Sequence, residues 1–83
     1  MTNSKRRKIL EYNAVFQQED DGGYSVWIPA LPGCTSQGET FESATQNIKE
    51  AIGLYLEEDK SLEKYPDEKG LRQFLVPITF QYA

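Results

Sequence analysis

Between Phe41 and Leu56 the apolar residues Phe41, Ala44, Ile48, Ala51, Ile52, Tyr55 and Leu56 recur every three or four positions. That spacing predicts one amphipathic helix over about 41–59, with Glu42, Gln46, Lys49, Glu50, Glu57 and Glu58 mostly on the other face. A helix with one apolar stripe must bury it against another layer. The other patterned segments alternate in twos, so that layer is a sheet.

Ile9–Gln17 places Leu10, Tyr12, Ala14 and Phe16 on one face, which predicts a half-buried first strand over about 9–17. Glu19-Asp20-Asp21-Gly22-Gly23 reads as a hairpin loop, and Tyr24, Val26 and Ile28 alternate with Ser25 and Trp27 in a second strand over about 24–28. Pro29 and Pro32 remove backbone donors and end it. A brief third strand over about 34–37 runs from Cys34 to Gln37, and Gly38 releases the chain. Thr40 is an N-cap for the helix, although Ser43 stands where a capping box wants Glu or Gln. Lys60–Gly70 is a polar connection. Over about 73–82, Phe74, Val76, Ile78, Phe80 and Tyr82 alternate with Leu75, Pro77, Thr79 and Gln81, which predicts a closing strand with a core face. Pro77 leaves one of its edges unpaired within the monomer. The expected fold class is α+β, in the order β-β-β-α-β, an antiparallel sheet with one helix on one face.

Eighty-three residues make one domain with a small core, for which oligomerisation would help. The long terminal strand supplies an edge for it, with Phe74, Val76, Ile78 and Phe80 as candidate interface residues. The apolar fraction is 39% and the charged fraction 27%, which fits a globular chain rather than a disordered one. No apolar run is long enough to span a membrane or form a signal-peptide core, and one cysteine suits a reducing compartment, so a cytoplasmic protein is expected.

Histidine is absent, which removes the commonest general base and metal ligand. Cys34, the lone cysteine, has no base or cation near it in sequence and reads as a small buried hydrophobe. Glu11, Asp20 and Asp21 are the candidate Mg²⁺ ligands of a nuclease, but Glu11 points off the apolar face and the aspartates sit in a solvated turn. No catalytic residue, metal or cofactor is expected.

The net charge of −4 is uneven. Lys5, Arg6, Arg7 and Lys8 make a basic segment over 1–8, expected to be a flexible arm and the candidate nucleic-acid contact, while residues 9–83 carry five basic against thirteen acidic residues, about −8. An acidic body favours a basic partner. Trp27, opposite Tyr24, Val26 and Ile28, is either core or an interface anchor.

The order of these features is familiar. Tyr24-Ser-Val26, Pro29-Ala-Leu31-Pro32-Gly33-Cys34, Gly38-Glu-Thr40-Phe-Glu42-Ser-Ala44, Asn47 and Ala51-Ile52 resemble the HicB antitoxin family, over roughly Ile9 to Leu56. No one piece is specific; their order is. The resemblance implies a partial, catalytically inert RNase H-like unit over 9–83, of the short form with the N-terminal domain alone. It implies the antitoxin of a type II toxin–antitoxin system, an inhibitor and not an enzyme. Such a protein neutralises a HicA-type toxin, a small basic mRNA-cleaving protein, by direct binding. Glu19, Asp20, Asp21 and Glu39 are then partner-facing acids, with Trp27, and a homodimer or higher oligomer is expected. Many HicB proteins continue into a helix-turn-helix or ribbon-helix-helix segment. None follows the closing strand here, so DNA binding is not expected. The rival expectation is a stand-alone oligomeric HicB-like domain without a toxin, binding another protein or ligand.

Overall fold

Gly22 adopts φ +97° at the tip of the first hairpin, a backbone that L side chains rarely tolerate. In the computed structural model, which describes residues 9–59 and 64–83, this glycine closes a three-residue loop. The Gly22 amide donates to the Glu19 carbonyl at 3.0 Å and the Glu19 amide donates to the Gly23 carbonyl at 2.7 Å, a turn followed by a one-residue bulge. The strands it joins are β1 (Val15–Gln18) and β2 (Tyr24–Trp27), paired antiparallel with Phe16 opposite Val26. Two tight turns over 28–34, with Gly33 at φ +87°, bring in β3 (Thr35–Gly38). It pairs antiparallel with β2, Tyr24 facing Gly38, and the sheet order is β1-β2-β3.

The helix α1 (Phe41–Asp59) starts at its cap. The Ser43 amide donates to the Thr40 hydroxyl and the Thr40 amide to the Ser43 hydroxyl, both at 3.0 Å. Ser43 therefore completes the reciprocal box that seemed to lack its third-position partner. α1 lies over β3 and β2 and reaches β1 through Phe41, whose ring stands 4.5 Å from that of Phe16. Val26, Ile28, Leu31, Cys34, Ala44 and Ile48 are buried between the layers. Full burial of a side chain such as Ile28 or Leu31 is worth about 1.5–3 kcal/mol. Tyr12, Ala14, Phe16, Tyr24, Ile52, Tyr55 and Leu56 pack around them. The α+β architecture with one helix on an antiparallel sheet is thus present.

Two segments differ from expectation. The first strand is shorter than 9–17: Ile9–Ala14 are outside the ladder, and Leu10 is exposed. Residues 11–13 bond instead to the connection, with the Glu68 amide donating to the Glu11 carbonyl at 2.7 Å and the Asn13 amide to the Glu68 carboxylate at 2.8 Å. The expected closing strand, 73–82, forms no ladder within the chain, and its side chains are not core. Phe74, Ile78 and Phe80 are 84%, 81% and 77% exposed, and Val76 and Tyr82 are exposed as well. The physical reason lies in Pro77 and the direction of the segment. The basic run Lys5, Arg6, Arg7 and Lys8 lies outside the described residues.

Candidate functional site

The pairing of Tyr24 with Gly38 brings the β1–β2 turn beside the β3–α1 junction. Between them is an open groove of about 840 Å³. Glu19, Asp21 and Glu39 line it, together with the hydroxyls of Ser25 and Ser43 and the amides of Gln37 and Asn47. Gly22, Gly23, Tyr24 and Gly38 complete its lining.

Two of the three acids, Glu19 and Asp21, are held by local hydrogen bonds. Glu19, half-buried, accepts from the Ser25 hydroxyl at 2.5 Å and from the Gln17 amide at 3.3 Å. Asp21 accepts from the Gly23 amide at 3.0 Å, which fixes its side chain against the turn. Asn47 donates to the Gln37 carbonyl at 2.7 Å and ties α1 to the outer edge of β3. The groove combines three carboxylates with neutral hydrogen-bonding groups, a surface able to take guanidinium or ammonium groups.

Of the five expected partner-binding residues, Glu19, Asp21 and Glu39 share this groove. Asp20 is in the same turn but outside the lining, and Trp27 is elsewhere. Trp27 sits half-buried next to Val15 and Thr35 on the sheet face away from α1, outside the core cluster. The lining hydroxyls and amides were missed because they are scattered from 25 to 47; only the strand register collects them. Glu11 is separated from Asp20 and Asp21, since it precedes β1 and they follow it, on the order of 25 Å along an extended chain; its own backbone bonds to Asp67 and Glu68 instead. Among the described residues no three His, Cys, Asp or Glu side chains form a metal-binding group. Cys34 is buried, and burial raises its thiol above the ordinary value of 9.0, the opposite of what a nucleophile needs. Among the described residues no helix is long and apolar enough to cross a membrane.

Comparison with known proteins decides the family. The model of the HicB-like antitoxin of bacterial toxin–antitoxin systems matches residues 12–78. The chain belongs to this family. Its membership gives an antitoxin role, with a toxin as the general kind of partner. The UPF0150 protein ssr1765 of Synechocystis sp. is 53% identical over 51 residues, 61% of this chain and 65% of that one. The UPF0150 protein Ta0767 of Thermoplasma acidophilum is 47% identical over 62 residues, 74% of this chain and 90% of that one. A second Synechocystis relative, ssr1258, is 38% identical over 66 residues, 80% of this chain and 94% of that one. The chain thus spans slightly less than two thirds of the first relative and nearly all of the other two. No solved structure matches it. In the HicB-like frame, the matched range contains all three groove acids and the root of the exposed tail.

Proposed function

We propose that this HicB-like antitoxin neutralises a small basic, HicA-type mRNA-cleaving toxin by direct contact, with the Glu19–Asp21–Glu39 groove receiving its cationic side chains. The observation that carries this reading is the convergence of three carboxylates from two distant loops on one groove. Charge complementarity of this kind speeds encounter and selects the partner. Inhibition needs no catalytic group in the antitoxin, because occlusion of an RNA-binding or catalytic surface suffices.

The test is co-expression with the adjacent reading frame, which in this reading encodes a basic protein. Rescue of growth and a co-purifying complex are expected. Replacing Glu19, Asp21 and Glu39 together by Lys weakens that complex by at least about a hundredfold at low salt while the protein stays folded. Absence of both rescue and complex overturns the reading in favour of a HicB-like domain serving another partner. A complex indifferent to the triple substitution and to salt moves the contact off the groove.

A further inference from the structure

The exposed tail and the open edge of β1 belong together, and the stereochemistry of a strand says how. Along a strand, a residue's N–H and C=O address one edge and its side chain one face; both reverse at every step. The Glu19 amide donates to the Gly23 carbonyl across the hairpin, so Gln17 and Val15, two and four residues earlier, bond inward to β2. Ala14, Phe16 and Gln18 then address the free edge, since β1 is terminal in the sheet. The opposite edge differs, because there the Gln37 carbonyl already accepts from Asn47.

The tail begins at this edge and leaves it. Asn13 donates to Gln73 at 2.8 Å, and beyond that bond a cleft of about 350 Å³ opens between Asn13–Phe16 and Gln73–Leu75. Rooted at the start of β1, the tail can run along its own sheet only parallel to β1. Phe16 faces the helix, as its contact with Phe41 requires. In a parallel neighbour, a residue facing the helix turns its N–H away from β1. Burying Phe74, Val76, Ile78, Phe80 and Tyr82 under the helix would therefore aim Leu75, Pro77, Thr79 and Gln81 at β1. Counted from Asn13 and Gln73, Pro77 falls opposite Gln17, in the middle of the edge, where it has no N–H to give.

A tail entering end for end has no such conflict. Antiparallel to β1, the Phe74–Tyr82 row turns its side chains to the helix and its unbroken row of N–H groups to β1. Pro77 then faces outward, where a missing donor costs nothing and blocks further strand addition. Only another molecule can supply a tail in that direction. We infer that residues 74–82 form the fourth strand of a second copy's sheet, antiparallel to its β1, and that the exchange is mutual in a two-fold dimer. The area fits: an aromatic side chain carries roughly 150–250 Å², so Phe74, Phe80 and Tyr82 from both copies, with Val76 and Ile78, reach the roughly 1,200–2,000 Å² of a stable interface.

The full-length chain tests this in two measurements. Light scattering on the purified protein is expected to give twice the 9.5 kDa chain mass, and Ile78→Asp to raise the dimer dissociation constant at least about a hundredfold. That variant should remain folded, since Ile78 is exposed in the single chain. In a mixture of ¹⁵N- and ¹³C-labelled chains, isotope-filtered NMR is expected to show contacts between 74–82 of one chain and 14–18 of the other. A monomer overturns the inference. So does a dimer whose intermolecular contacts run tail to tail or to the Trp27 face, or one in which the 14–18 contacts arise within a single chain.

Discussion

Gly38 and Ala44 meet where β3 hands the chain to α1, so closely that a Cβ on Gly38 would lie 2.7 Å from the Ala44 Cα. The Ala44 atoms it would meet are backbone and cannot swing away, and the Ser43 hydroxyl of the helix cap lies as close. It also sets the groove, because Gly38 pairs with Tyr24 and Glu39 follows it. Gly38→Ala is therefore expected to destabilise the protein by about 1–3 kcal/mol through overpacking, read as a lower urea midpoint. Gly53, whose Cβ would meet nothing within 4 Å, is the control: Gly53→Ala should stabilise by up to about 1 kcal/mol.

The helix cap gives a second expectation. Thr40→Ala removes the acceptor of the Ser43 amide and should cost about 1 kcal/mol. Ser43→Ala removes the reciprocal acceptor of the Thr40 amide. Because each hydroxyl serves the other's backbone, the double variant should lose less than the two single losses combined. Strict additivity in a double-mutant cycle would show that the two caps act independently.

These two sites also show what was legible beforehand. The helix was readable to its ends, since a stripe at spacings of three and four from Phe41 to Leu56 has one interpretation. The hairpin was readable because the Gly22-Gly23 pair lies between alternating runs. The groove was not, because Glu19 and Glu39 are twenty positions apart and only the β2–β3 register joins them. The part Ser43 plays in the cap was not legible, because a short hydroxyl reaches the Thr40 amide only once the turn is formed. The last strand was half legible. Alternation from Phe74 to Tyr82 encodes a face and Pro77 an edge, but neither says which molecule supplies the partner.

Cys34 yields a third expectation. It is 3% exposed in the layer between sheet and helix, and burial holds its thiol protonated above the usual range. Native protein should be alkylated by iodoacetamide at least about tenfold more slowly than protein in urea, because modification must await opening. Equal rates would mean that the 28–34 turns open freely. Cys34→Ala should leave toxin binding unchanged.

Tyr12 supplies the alkaline limit of stability. Its hydroxyl donates to the Tyr65 carbonyl at 2.6 Å, joining the residues before β1 to the connection after α1. Its pKa is raised above 10.0, first by burial and then by the negative charges of Asp67 and Glu68. A raised value means that the folded state keeps its proton where the unfolded chain has lost it. The corresponding stability is complete below about pH 10 and falls as pH rises through the folded value. Tyr12→Phe deletes the bond and should cost about 1 kcal/mol at neutral pH, with no ionisation of its own. Urea midpoints of the two proteins should therefore differ at pH 7 and approach each other above pH 10, as the wild type alone loses this contribution. Taking the difference between the two curves cancels the alkaline slope due to Cys34, which both proteins share. Parallel curves across that range would mean that Tyr12 ionises equally in both states and that neither burial nor the charges of Asp67 and Glu68 hold its proton.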